Sequence, residues 1–389
     1  SENYGMSIGD NRTVDYTFST TIGDPSAAGV AGSSAGALSM NASGVYELLQ
    51  VIETGVSTDT SNQRSNDIAY GTAIATNDEI LAVGASGFVH GANLELGAVY
   101  IYKNQKGMYT QHQLTSGQEQ AAGLSNSAYL LSSDSDRDAN FGFDVAVSPQ
   151  SLIAVGQRGH DTDIAGDEYT KTSAVAILHP NDDLTAWTVN DVVTGILNAG
   201  TTIHLGQSLA FNKELSGTTQ WLVAGAPLAG SGANEMGNVH VRYGTKGEVN
   251  SFVGYPLDMT NTEVAGATVH DANERFGTSV AMHGNLIVAG APGYSAQSGV
   301  AYVYAADGTG PHTAAASWVE VAKLTGVTSV VGNDPAFGAA VDVFGSTIIV
   351  GAPSGDYNNR GEVHVFTTDQ NPAYRGWTHA TALTASDAQ

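Results

Sequence analysis

The chain has 389 residues, 47 of them glycine and none cysteine, and a formal net charge of −24. Without cysteine there is no disulfide framework and no thiolate metal site. The charge reflects only 14 basic residues against 38 acidic ones, which opposes binding to nucleic acid or to an anionic membrane surface. No stretch approaches the ~20 apolar residues of a membrane-spanning helix. No leader-like segment opens the sequence, as expected of a mature chain or of a segment excised from a longer one.

In chain order, an aromatic residue or leucine followed by glycine recurs at Tyr4-Gly5, Tyr70-Gly71, Phe141-Gly142, Leu205-Gly206, Phe276-Gly277 and Phe337-Gly338, every 61 to 71 residues. A fixed long period means a stacked or ring architecture. Each pair is predicted to open a unit of four strands, read most clearly after Phe276. Strand A runs through Ser279 and Ala281 to a tight turn at His283-Gly284-Asn285. Strand B is the apolar run Leu286 to Gly290. Strand C, Val300 to Tyr304, follows a glycine. Strand D, Trp318 to Leu324 (WVEVAKL), alternates apolar and polar with period two. Strands A and B are small and apolar because inner strands are covered on both faces, whereas an outermost strand meets water on one. Repeated four-stranded antiparallel units predict an all-β fold, a β-propeller of six four-stranded blades. The approximate blades are 4–69, 70–140, 141–204, 205–275, 276–336 and 337–389. The joined ends, Asp387-Ala388-Gln389 then Ser1-Glu2-Asn3-Tyr4-Gly5, imitate Asp271 to Gly277, so the termini are expected to meet between two blades.

Strand B ends in Gly-Ala-Pro three times, at Gly225-Ala226-Pro227, Gly290-Ala291-Pro292 and Gly351-Ala352-Pro353, with altered copies at Gly84-Ala85-Ser86 and Gly156-Gln157-Arg158. Through these motifs, in phase with the aromatic-glycine pairs, the chain resembles the FG-GAP repeat family, known from the integrin α-subunit propeller and from bacterial surface proteins. The resemblance implies a propeller and an extracellular or cell-surface setting. Seven blades, commoner in that family, are the alternative to six. Integrin-type units often carry a calcium loop between strands A and B. Here those links are too short for one, at His283-Gly284-Asn285 and Phe344-Gly345-Ser346, so those sites do not carry over.

In such a blade the B–C loops and D–A crossovers share one face. The B–C loops here are long and mutually different, and variable loops on a rigid frame are where binding usually sits. Tyr294, Tyr357, His90 and Tyr169 are the candidate ligand-binding residues, because an aromatic in a Gly/Ser/Asn-rich loop can stack on a sugar or a partner side chain. Packing against an adjacent loop is the alternative for each. The run Asp134-Ser135-Asp136-Arg137-Asp138 lies in a crossover on this face. Asp134, Asp136 and Asp138 have the alternating spacing with which an oxygen-rich loop wraps calcium. It lacks the glycine and the bidentate glutamate of a full loop, and Asp138 capping the turn before strand A is the alternative. Asp161, Asp163, Asp167 and Glu168 form a second acidic group nearby. Catalytic constellations are thin: His160-Asp161 with His204 is the one acid–base candidate, while His240 and His364 read as structural residues of strand C. The expectation is a non-catalytic module that binds a glycan or a surface protein and does not insert into a membrane. The alternatives are a polysaccharide-cleaving enzyme on a propeller scaffold, or a self-assembling subunit of a surface layer or filament, alone or within a larger multidomain chain.

Overall fold

The computed structural model describes residues 3–4, 16–20, 34–40, 46–53, 69–90, 94–95, 97–105, 108–111, 129–131, 140–158, 173–184, 187–194, 203–214, 218–229, 235–257, 273–306, 318–326, 336–355, 361–369 and 376–384. The first sheet is β1 (Asn3–Tyr4), β2 (Tyr16–Thr20), β3 (Ser34–Met40) and β4 (Tyr46–Glu53), in that order. In the second repeat come β5 (Tyr70–Thr76), β6 (Ile80–Ala85), a small hairpin of β7 (Val89–His90) and β8 (Leu94–Glu95), then β9 (Ala98–Gln105), β10 (Met108–Gln111) and β11 (Tyr129–Leu131). The third sheet is β12 (Phe141–Val147), β13 (Ile153–Gln157), β14 (Ala174–Pro180) and β15 (Trp187–Thr194). The fourth is β16 (Ser208–Phe211), β17 (Thr219–Ala226), β18 (Asn238–Thr245) and β19 (Val253–Pro256). The fifth is β20 (Ser279–His283), β21 (Leu286–Ala291), β22 (Val300–Ala306) and β23 (Trp318–Leu324), with the one-turn helix α1 (Tyr294–Gln297) between β21 and β22. The last is β24 (Ala340–Phe344), β25 (Thr347–Ala352), β26 (Glu362–Thr367) and β27 (Thr378–Leu383).

Every pairing between described strands is antiparallel, and in the five four-stranded sheets it joins chain neighbours, the up-and-down order of a propeller blade, so the all-β propeller expectation holds. The expected six four-stranded blades do not: five sheets have four strands. In the sheet at Tyr70 the order is β10-β9-β6-β5, and β11 also pairs with β9. Strand D is there split into two pieces that share one edge, β10 against Tyr102 to Gln105 and β11 against Ala98 to Tyr100. Residues 1–2, 5–15 and 385–389, on which the expected meeting of the termini rests, lie outside the described residues. Two compact units are distinguished, 1–161 with 176–190, and 162–175 with 191–389.

Why aromatic-glycine and Gly-Ala-Pro recur together is visible in the backbone. Around each described anchor the amide of the residue after the glycine donates to the carbonyl of the residue before the aromatic: Thr72 to Ala69, Phe143 to Asn140, Gln207 to His204, Thr278 to Arg275 and Ala339 to Ala336. The aromatic and glycine are thus the two central residues of a β-turn, and the glycine takes the positive φ that a type II turn demands at its third position, +87° at Gly277. A Cβ on Gly277 would also stand 2.4 Å from the carbonyl oxygen of Asn238 in the preceding sheet. The Gly-Ala-Pro glycine meets this turn from the other side. A Cβ on Gly225 would lie 1.9 Å from the Gly277 oxygen, one on Gly290 1.9 Å from the Gly338 oxygen, and one on Gly84 2.1 Å from the Gly142 oxygen. Strand B of one blade and the strand-A turn of the next therefore touch backbone to backbone. The glycine before strand C completes the latch, in parallel bridges from Gly97 to Phe141, Gly237 to Phe276 and Gly299 to Phe337.

The anchor aromatic then packs edge-on against strand C of its own blade, Tyr70 on Tyr100, Phe276 on Tyr302 and Phe337 on His364, with centroids 5.2 to 5.5 Å apart. The core lies between neighbouring sheets. One cluster joins Trp221, Val223, Val239 and Val241 to Phe276, Ile287, Tyr302 and Trp318. The next joins Leu286, Val288, Ala301 and Val303 to Phe337, Ile348, Val350 and Phe366. Burial follows the expected gradient: β21 is buried along its length, β15 alternates buried and exposed, and β27 has no fully buried residue.

Candidate functional site

The B–C and D–A face of the second unit is described where the fourth, fifth and last sheets meet. After β21 the chain turns at Gly293, whose amide donates to the Glu274 carbonyl (3.1 Å), and makes α1. The Gly299 amide closes the turn on the Tyr294 carbonyl (3.0 Å), and the Phe337 amide donates to the Ser298 carbonyl (3.3 Å). One loop is thus clamped by the crossovers into two blades. Its Tyr294 is half-buried, packs against the core cluster around Phe276, and carries the Lys323 amine 3.5 Å from its ring centroid. Lys323 also stands 5.1 Å from the Tyr302 ring, which it faces across the β22–β23 pairing. The Tyr302 hydroxyl donates to Glu274, a fully buried carboxylate, and burial with that neighbour pushes the phenol well above its usual range. At the surface beside it Arg275 pairs with Glu235, Nε to Oε2 at 2.8 Å, and their backbones are joined by the Arg275 amide on the Glu235 carbonyl (3.1 Å). The face thus offers an aromatic ring with a cation against it and an adjacent ion pair, held on a frame fixed by backbone hydrogen bonds. Such groups recognise hydroxylated or charged surfaces.

Tyr294 alone of the four predicted ligand-binding residues has a described side chain. His90 lies in β7 with its side chain outside the described residues, as Tyr169 and Tyr357 lie wholly outside them. The same holds for Asp134, Asp136 and Asp138, and for His160 and Asp161 of the acid–base candidate. Among the described residues no group of three or more His, Asp or Glu converges as metal ligands. His240 and His364 are buried in strand C at equivalent register, opposite Ala224 and Val350. Burial, with Arg242 nearby, lowers the His240 pKa to about 4. Sequence reasoning missed Lys323, Glu274 and the Arg275–Glu235 pair. Lys323 could have been found: in WVEVAKL it falls in register with Tyr302 once strands C and D are aligned.

The opposite face carries the A–B turns. The His283-Gly284-Asn285 and Phe344-Gly345-Ser346 links are two-residue turns closed by the His283–Leu286 and Phe344–Thr347 pairs. An asparagine brackets one turn to the next. Asn212 Oδ1 accepts from the Gly284 amide (2.8 Å) and its Nδ2 donates to the Gly284 carbonyl (3.1 Å), and Asn77 Nδ2 donates to the Ser148 carbonyl (2.9 Å). Lys213 reaches Asp342 at 3.2 Å and Glu214 lies 3.5 Å from His283. Burial lowers the His283 pKa against the opposing pull of Glu214. Every member of this cluster is occupied by another, the pattern of a brace.

The FG-GAP repeat family matches residues 264–304 and 318–366, which take in the fifth sheet and the first three strands of the last. The chain thus carries FG-GAP repeats in a β-propeller. No curated protein matches it. A solved structure of an acylaminoacyl peptidase in complex with Z-Gly-Gly-Phe-chloromethyl ketone is similar at 8% identity and a TM-score of 0.42, over 95% of this chain and 45% of that one. The chain spans under half the length of that structure, and at that TM-score nothing about this chain follows from the likeness.

Proposed function

We propose that the chain is a non-catalytic recognition module, exposed outside the cell, that binds a glycan or a surface protein through its B–C loops and D–A crossovers. The observation that carries this reading is α1. A loop between two Gly-bounded strands is fixed at both ends by neighbouring crossovers and presents Tyr294 with Lys323 against its ring. A rigid aromatic loses little conformational entropy on binding. FG-GAP repeats are typical of extracellular and surface proteins, which supports the location. Calcium is the ion proposed for Asp134, Asp136 and Asp138. The test is a glycan-array and pull-down comparison of the parent with a Tyr294→Ala, Tyr357→Ala double variant. Loss of a parent signal in a folded double variant supports the proposal, and turnover of a polysaccharide by the parent replaces it with an enzyme.

A further inference from the structure

Strand C carries a polar ring at one register position in four of the repeats: Tyr100, His240, Tyr302 and His364 each stand opposite the residue that precedes the strand-B glycine. The last repeat differs from the others in what this ring touches. His364 is 1% exposed, and its Nε2 lies 3.3 Å from Oε2 of Glu362, itself 8% exposed. Its other nitrogen, Nδ1, lies 3.1 Å from Nε2 of His379 on the outermost strand β27. The carboxylate fixes the tautomer. His364 carries its proton on Nε2 towards Glu362, so Nδ1 is a lone pair and His379 must donate to it. The three groups form one hydrogen-bonded line, Glu362–His364–His379, from buried strand C to half-buried strand D. In the fifth sheet the equivalents are Val300, Tyr302 and Glu320, and no imidazole pair joins β22 to β23.

We propose that this line is a pH-sensitive latch that holds β27 on the last sheet and releases it in acid. One added proton is tolerated, because it is shared along the line and faces the Glu362 carboxylate. A second makes both imidazoles cations with their nitrogens 3.1 Å apart, and removes the lone pair that the bond requires. The groups that act on His364 electrostatically are Glu362 and His379; β25 places Val350 opposite it, the anchor places Phe337 against its ring, and the end of β23 places Gly326 beside it. Burial lowers the His364 pKa, the direction such a latch needs. β27 is the less deeply covered of the two outermost strands: its residues are half-buried or exposed, whereas β23 has a buried residue at each end, and both ladders carry a bulge at the equivalent position. Released, it uncovers the edge of β26 for another strand.

Amide hydrogen exchange of the intact chain between pH 7.5 and pH 4.5 tests this, with protection factors taken relative to the intrinsic rate at each pH. Opening that takes up one more proton than the closed state should cost β27 about tenfold in protection per pH unit once the pair titrates, while β23 keeps its protection. In His379→Gln, whose amide still donates to His364 Nδ1 and never becomes a cation, β27 protection should be nearly flat with pH. Constant protection of β27 in the parent, equal acid loss in β23, or full acid sensitivity of β27 in His379→Gln would each overturn the proposal. The first and second readouts need no variant to fold, and none depends on a ligand.

Discussion

Replacing Gly277 by alanine separates the two reasons for the aromatic-glycine motif. At φ +87° an L side chain costs about 1–2 kcal/mol. Its Cβ would also stand 2.4 Å from the Asn238 oxygen, where ordinary contact begins at 3.4 Å, so the neighbouring sheet must move by roughly 1 Å. Over-packing of this kind costs about 1–3 kcal/mol. The sum, roughly 2–5 kcal/mol, is a large share of a typical folding free energy of about 5–15 kcal/mol. Two controls apportion it. Gly247 has φ +86° and nothing within 4 Å of a Cβ, so Gly247→Ala carries the strain alone. Gly225 would put its Cβ 1.9 Å from the Gly277 oxygen, so Gly225→Ala reports the clash alone. Denaturant unfolding of the three variants should place Gly247→Ala near 1 kcal/mol and the other two well beyond it. A Gly277→Ala variant no less stable than Gly247→Ala would refute the backbone contact between blades.

His240 is buried with its pKa lowered to about 4, so the folded chain refuses a proton that the unfolded chain accepts near pH 6.5. Stability should therefore fall by roughly 3 kcal/mol between pH 7 and pH 4, and His240→Gln should shed that part of the acid loss in paired denaturation curves. Calcium at a hundredfold excess over its Kd should add about 2.7 kcal/mol if Asp134, Asp136 and Asp138 bind it. In thermal melts the Asp136→Ala variant should lose the gain, and an unresponsive parent would leave the run as a capped turn. Lys323→Met should keep the packing of the lysine stem while removing the cation from the Tyr294 and Tyr302 rings, costing about 1 kcal/mol in denaturant unfolding.

The repeat was legible because each strand's burial is written in its composition. The run after Asn285 and the alternation after Trp318 were read as strands B and D of the fifth sheet, and β21 and β23 stand there. The anchor glycines are legible by their fixed phase, and Gly142, Gly277 and Gly338 combine a positive φ with a backbone oxygen close to where a Cβ would stand. Hidden were features that depend on partners distant in sequence. The split of strand D into β10 and β11 gives no break in periodicity strong enough to read. The positive φ before the aromatic is shared by Asn140, Arg275 and Ala336, so residue type does not announce it. Likewise Glu274 looks like a solvated crossover residue until Tyr302 is placed against it. Of the candidate binding face, its location followed from blade topology, whereas the position of Lys323 over Tyr294 required the register of β22 on β23.

The claim that the B–C and D–A face is the binding face is tested most directly by affinity for the strongest glycan or protein found with the parent chain. It should be measured for the parent, for the Tyr294→Ala, Tyr357→Ala double variant, and for Lys213→Ala on the opposite face. The account predicts that the double variant loses tenfold or more, about 1.4 kcal/mol, while Lys213→Ala binds as the parent does. Unchanged binding in a folded double variant, or a loss confined to Lys213→Ala, would contradict it.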